Sequence, residues 1–318
     1  MEKDLSQLAL CQILNIKYPI IMAPMFLVSN EEMLIAAGKS GIAGAIPALN
    51  YRSTELFAEG LARLKKESVG PIGVNLIVNP SNIRMEEQLK ICVEQRVDFI
   101  ITSLGKPQHA IEEAHKAGIK VFCDVVDAAM AKKVADLGAD AVIAVNNRAG
   151  GHAGEISPKQ LIQDIKNAVS IPVISAGGVG TKKEMEEYIG YGADGFSIGT
   201  IFIASEESPV SAEYKNACVE YGAKDIVLTT RLSGTPCTII QTPYVKEIGT
   251  EQSGLESFFS KNRRLKKWVK MFTFLKGMKA LRKAAFENTY QSIWCAGPSI
   301  ESVKSVRSVA QIVSDLVD

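Results

Sequence analysis

His152 stands in the run Ala149-Gly150-Gly151-His152-Ala153-Gly154, flanked by small residues that leave its ring room to reach a bound molecule. An imidazole with a pKa near neutrality takes or gives a proton with little driving-force penalty. The other reading is a histidine that only hydrogen-bonds its own loop or a ligand. Two more runs carry glycine, Ala176-Gly177-Gly178-Val179-Gly180 and Gly199-Thr200. Glycine lets backbone N–H groups approach an anion closely, and a helix starting near Thr181 would add its positive dipole end. These loops are either a phosphate site or simply tight turns. Further polar or turn-forming groups follow apolar runs: Ala23-Pro24-Met25, Asn75, Ser103 and Asp124. Asp124 is a ligand contact or a helix cap, and the local sequence does not choose.

The remaining chemistry-bearing residues point elsewhere. Cys11, Cys92, Cys123, Cys218, Cys237 and Cys295 form no C-x-x-C pair and, with three histidines in the chain, give no zinc spacing. They read as buried small apolar residues in a reducing compartment, with no metal site. His109 and His115 fall on a polar helix and read as solvated.

Short apolar runs must position these groups. They are Ile20–Ala23, Ile42–Ile46, Ile72–Leu76, Phe99–Thr102, Lys120–Asp124, Ala141–Val145, Pro172–Ala176 and Gly195–Gly199. Near-uninterrupted apolarity suits parallel strands buried on both faces. Their spacing of roughly 20 to 30 residues leaves room for a helix crossover. Ser29 with Glu32, Ser157 with Gln160 and Thr181 with Glu184 read as capping boxes, and Asp127 caps a helix that Gly138 ends. Eight strand–helix units predict an α/β fold, a (β/α)8 TIM barrel, whose sites lie at the C-terminal strand ends. The loops after the last two strands are the usual phosphate site of that architecture.

After the eighth strand the rhythm breaks. A helix is predicted over about Val210–Tyr221, then an irregular stretch with Thr229-Thr230, Gly234-Thr235-Pro236 and Thr242-Pro243. A basic amphipathic helix follows at 257–286, and a last helix places Val303, Val306, Ile312, Val313 and Leu316 on one face. This divides the chain into a barrel at 1–223, a smaller, mainly helical inserted lid at 224–290, and a returning segment at 291–318.

The chain has 318 residues, 47% apolar and 22% charged, which allows a sizeable core. Its net charge of +1 offers no global field for nucleic acid or membrane. Ten lysines and arginines without one acid make 257–286 +10 and leave −9 elsewhere. That segment is a solvated face, or it meets an acidic carrier protein, an anionic substrate or an anionic membrane surface. The N-terminus lacks a signal pattern, and Tyr18–Val28, the best apolar stretch, is too short to span a bilayer. A soluble, cytoplasmic protein is expected.

As a set, M-A-P-M at 22–25, N-L at 75–76, A-G-G-H-x-G at 149–154, A-G-G-V at 176–179, G-T-x-F at 199–202 and I-W-C-A-G at 293–297 resemble the nitronate monooxygenases, formerly 2-nitropropane dioxygenases. They are also similar to the related flavin-dependent enoyl-acyl-carrier-protein reductases. The resemblance covers nearly the whole chain, least of all 257–286. It implies an FMN barrel in which Gly177, Gly178, Gly199 and Thr200 hold the phosphate. Ala149, Gly150 and Gly151 would line the cofactor together with Ala176, Ser103 and Asp124. Backbone from Ala23 through Pro24 to Met25 would lie against the isoalloxazine ring, Asn75 at its polar edge, and His152 would be catalytic. The family reads Q-G-x-E before A-G-G-H, whereas here Val145, Asn146, Asn147 and Arg148 stand there. Arg148 could lower the His152 pKa, attract an anionic substrate, or face solvent.

The first function implied is oxidation of alkyl nitronates with dioxygen to a carbonyl compound and nitrite. The second is NAD(P)H-dependent reduction of an enoyl thioester, for which the basic segment suits an acidic carrier protein. A third is a flavin- or phosphate-binding barrel without turnover. A homodimer is left open.

Overall fold

The computed structural model describes residues 4–231, 236–251 and 293–318. The eight apolar runs are the eight staves of a closed parallel barrel. They are β1 (Ile20–Met22), β2 (Ala43–Pro47), β3 (Ile72–Ile77), β4 (Phe99–Ser103), β5 (Lys120–Val125), β6 (Ala141–Val145), β8 (Val173–Ala176) and β9 (Gly195–Ile198). β7 (Gly151–His152) lies outside the barrel. β9 pairs back onto β1, with Ile21 opposite Ser197, and closes the ring.

The two-residue period of a strand explains why both sides are apolar. Ile21, Ala43, Ala45, Phe99, Ile101, Phe122, Ile143 and Ile174 pack together as one cluster. Their neighbours Ile20, Met22, Ile42, Ile46, Ile100, Val121 and Val142 belong to a second cluster shared with the helices. Phe99 and Phe122 stack at 5.3 Å and fill the barrel's interior. At Gly73 a Cβ would come within 2.2 Å of the Phe99 ring, so this stave has no side chain there. Helix α1 (Ala9–Leu14) puts Leu10 and Leu14 into the same cluster and closes the end opposite the site. Phe122→Ala is expected to cost about 3–5 kcal/mol, because the rigid staves cannot collapse onto the void. Urea unfolding measures it.

Helices α2 (Glu31–Lys39), α3 (Thr54–Glu67), α4 (Met85–Glu94), α5 (Gln108–Lys116), α6 (Ala128–Asp136), α7 (Pro158–Ala168) and α8 (Lys182–Tyr191) connect the staves. Asp127, Ser157 and Thr181 cap α6, α7 and α8, but the return halves of the two expected boxes do not form: the Glu184 carboxylate accepts from Gly180 N–H instead. The start of α2 differs. Asn30 is its cap and accepts from Met33 N–H at 3.0 Å. Ser29 Oγ accepts from Met25 N–H at 2.9 Å and donates to the Ala23 carbonyl, bracing the first loop of the site. On α5, His109 pairs with Glu86 and His115 with Asp140, both at the surface.

Beyond α9 (Ala212–Glu220) the expected irregular stretch is partly ordered. β10 (Ile226–Thr229) and β11 (Cys237–Ile240) are antiparallel, and β11 also pairs with β7, placing Cys237 opposite His152. Apolar and β-branched residues dominate both strands, a signal hidden beside the Thr, Gly and Pro turn residues. Helix α10 (Pro243–Ile248) follows. The basic helix expected over 257–286 lies outside the described residues, so the lid as a whole is seen only in this strand-bearing portion. The last helix, α11 (Val309–Val317), begins later than its periodicity suggested. Ser308 and Gln311 form a capping box there, which leaves Val306 exposed and Val303 buried on the preceding turn. Among the described residues no helix is long and apolar enough to cross a membrane.

Candidate active site

Parallel staves deliver all their following loops to one end, so residues far apart in sequence converge there. A cavity of about 890 Å³ occupies that end, and all the candidate residues between Ala23 and Thr200 line it. Its size is at the upper end for small-molecule sites and suits a nucleotide-sized cofactor with a substrate beside it. A smaller depression of about 350 Å³ at the opposite end, around Asn15, Lys65 and Asp98, holds none of them.

The loops after β8 and β9 form a cradle. Gly177 and Gly178 have φ of +107° and +83°, in the left-handed region where a side chain is strained. A Cβ on Gly177 would lie 2.4 Å from the Ala149 nitrogen, and one on Gly178 2.5 Å from the Tyr188 hydroxyl. Among the described residues, the backbone N–H groups of Gly178 and Thr200 have no protein acceptor. The buried Tyr188 hydroxyl also has no partner there. Thr181 accepts from Glu184 N–H, starting α8 beside the same loop with its dipole facing the cradle. The Asn146 amide donates to the Gly177 carbonyl at 2.9 Å and accepts from Arg148 N–H at 2.8 Å, joining the loops after β6 and β8. Thr200 Oγ1 accepts from Gly297 N–H at 2.9 Å, bringing the C-terminal segment to the rim. At Gly150 a Cβ would lie 2.8 Å from the same Thr200 oxygen.

His152 stands at the mouth, where Thr238 Oγ1 ties β11 to the preceding loop by donating to the Ala149 carbonyl at 2.8 Å. Its ring opens to the cavity, yet surrounding protein atoms lower its pKa by desolvation. Although the residue is partly open to solvent at the mouth, the direction of the shift favours the neutral, proton-accepting form. Arg148 lies against Gly178, with its guanidinium 3.7 Å from Glu184. The cation that departs from the family pattern therefore lies on the cradle side of the cavity.

Across the staves a polar chain forms the floor. Asn75 Nδ2 donates to the Ile101 carbonyl at 3.2 Å and to Ser103 Oγ at 2.7 Å. Ser103 in turn donates to Asp124 Oδ2 at 2.5 Å. With both amide hydrogens committed, Asn75 is left its carbonyl oxygen to offer a ligand. Asp124 is part of this chain and not a helix cap, which is the role of Asp127. Burial pushes the Asp124 carboxyl up to about 6, against the opposing pull of the Ser103 hydroxyl.

The sign of that shift gives a stability prediction. A carboxyl pKa raised on folding favours the native state while the group stays protonated, and this contribution is lost as pH rises through about 6. Asp124→Asn, which can still accept from Ser103, is expected to stabilise the cofactor-free protein at pH 8 by about 2 kcal/mol. The difference should vanish below about pH 4. Urea midpoints across pH test it, and an unchanged difference at both ends would contradict it.

Sequence reasoning did not single out Tyr188 or Thr238, and it noted Asn146 only as a departure. Asn146 carried one signal, a polar residue directly after an apolar strand. Tyr188 and Thr238 carried none, since only the fold brings them to the loops. Among the described residues no group of three or more His, Cys, Asp or Glu side chains could hold a metal.

The family model described as nitronate monooxygenase matches residues 7–318. One relative is the (3aS,4S,5R,7aS)-5-hydroxy-7a-methyl-1-oxo-octahydro-1H-indene-4-carboxyl-CoA dehydrogenase of Rhodococcus jostii, 27% identical and covering 90% of this chain and 81% of that one. Another is a probable nitronate monooxygenase of Staphylococcus aureus, 28% identical, covering 78% and 82%. Among solved structures, FabK from Thermotoga maritima superposes with a TM-score of 0.84 at 28% identity, covering 98% and 94%. The nitroalkane oxidase of Streptomyces ansochromogenes, at 21% identity and a TM-score of 0.80, shares the fold and covers 97% and 96%. With the family matched along almost its whole length and the barrel and cavity in place, the chain belongs to the nitronate monooxygenase family of flavin oxidoreductases.

Proposed function

We propose that this protein is an FMN-dependent nitronate monooxygenase, in which His152 acts on the carbon α to the nitro group. The observation that carries this reading is geometric: the His152 imidazole, its pKa lowered by desolvation, lines the same cavity as the glycine cradle. FMN fits the residues present. Gly178 and Thr200 offer N–H groups without protein acceptors, and the Tyr188 hydroxyl is buried beside them without a partner. Gly177, Gly178, Gly199 and Thr200 would hold the phosphate, with Arg148 adding charge. Ala23–Met25, Ala149, Gly150, Gly151 and Ala176 would bound the ring system, and Asn75 would accept from its polar edge. Bound there, FMN supplies the electron-accepting chemistry and the reaction with dioxygen. His152 removes the α-proton of a neutral nitroalkane, while a nitronate arrives without it. The apolar walls exclude water from the reacting carbon.

A second reading is a flavin oxidoreductase of acyl or enoyl thioesters, favoured by the size of the cavity and by the carboxyl-CoA dehydrogenase relative that covers most of this chain. The same base would then serve a carbon α to a thioester carbonyl. The flavin spectrum, followed anaerobically, separates the two. Bleaching by an alkyl nitronate but not by NADH or NADPH is the expected result. Rapid bleaching by nicotinamide at low concentration, without response to nitronate, would replace the first reading by the second. A purified protein that retains no flavin and binds none on titration would remove both.

A further inference from the structure

Five of the six cysteines are buried, and Cys295 is partly open. Among the described residues one thiol pair is in contact: the sulfurs of Cys237 and Cys295 lie 3.8 Å apart, although 58 positions separate them in sequence. The sheet brings them together. Cys237 sits on β11 opposite His152, and Cys295 bridges to Ile239 two residues further along the same strand. Side chains two apart on a strand share a face, so the two thiols are diagonal cross-strand neighbours. Both line the cavity, which gives a small oxidant a route to them.

We propose that Cys237 and Cys295 are a reversible disulfide site, oxidised by a peroxide that enters through the cavity. Joining them needs the sulfurs to close from 3.8 Å to about 2.05 Å. Cys295, the more open of the two, is attacked first. Its sulfur takes one oxygen from hydrogen peroxide as the O–O bond breaks, giving a sulfenic acid and water. The Cys237 sulfur then displaces that hydroxyl, forming the S–S bond and releasing a second water. Two thiols lose two electrons and two protons in all, and peroxide is reduced to two waters. The hydrogen bond with the Cys295 thiol and burial hold the Cys237 pKa far up, which disfavours Cys237 as the first thiol to be oxidised. The bond would tie β11, the neighbour of His152, to the segment carrying Trp294, whose ring stacks on Tyr214 at 5.6 Å. The cross-link does not depend on which substrate the flavin site takes.

The test exposes the full, flavin-loaded chain to hydrogen peroxide, blocks remaining thiols with iodoacetamide, and counts and maps them after unfolding. Two of the six thiols should disappear together, within one peptide pair containing Cys237 and Cys295, and dithiothreitol should restore both. Cys237→Ala should leave Cys295 to oxidise without cross-linking, and Cys295→Ala should leave Cys237 as a free thiol. The proposal is overturned if all six thiols survive peroxide that oxidises free cysteine in the same tube. It is equally overturned if Cys295 oxidises without joining Cys237 in the unsubstituted protein, or if either joins a different cysteine.

Discussion

His152→Ala is expected to lose about 10²- to 10⁴-fold of turnover on neutral nitroalkanes while keeping most of its turnover on the corresponding nitronates. The asymmetry follows from what the residue is asked to do. Only the neutral substrate carries the α-proton, so only its reaction needs a base. Nitrite release, measured with each substrate form, reads both activities in one assay. Equal losses on the two forms would show that the imidazole positions substrate and does not take its proton. The pH profile supplies an independent check. Desolvation lowers the His152 pKa, so the neutral, base-competent form persists to lower pH than an ordinary histidine near 6.5 allows. Turnover of a neutral substrate should therefore rise on a limb below 6.5 and be level by neutrality, and that limb should be absent with nitronates.

Gly178→Ala should weaken FMN binding about a hundredfold and riboflavin binding only a few-fold. Two costs combine. A side chain at φ +83° is strained, and its Cβ would press on the Tyr188 hydroxyl at 2.5 Å. The movement that relieves this takes the Gly178 N–H away from the phosphate, and a hydrogen bond to a charged group contributes about 1.5–3 kcal/mol. With backbone strain added, the loss is about 3 kcal/mol, or two decades. Riboflavin lacks the phosphate and is spared the larger part. Titration of the flavin-free protein by fluorescence measures both ligands, and equal losses would place the phosphate elsewhere.

These predictions draw on features of unequal legibility. The staves could be read because a parallel barrel strand is buried on both faces and must be apolar nearly throughout, as Ile20–Met22 and Ala141–Val145 are. Gly177 and Gly178 were legible because only glycine tolerates their backbone conformation without strain. Helix α2 is capped by Asn30, one residue beyond Ser29. Ser29 and Asn30 are both good caps, and the choice rests on tertiary contacts: Ser29 is already engaged by the Ala23–Met25 loop. The apolar period places Val306 in the last helix, but the Ser308–Gln311 capping box starts that helix three residues later.

The order of the staves, the end of the barrel at which chemistry gathers and the residue types present there are all written in the linear chain. Those properties depend on local apolarity, on short-range turn chemistry and on the single direction of parallel strands. Tertiary structure alone decided that Asp124 joins Asn75 and Ser103 in one hydrogen-bonded chain and that Arg148 faces Gly178. It also decided that His152 belongs to a sheet with Cys237, which in turn meets Cys295. Each of these is a contact between separate loops or strands, set by the closure of the barrel and the pairing of β11. No local pattern encodes such a distance, so it becomes visible only when the chain is folded.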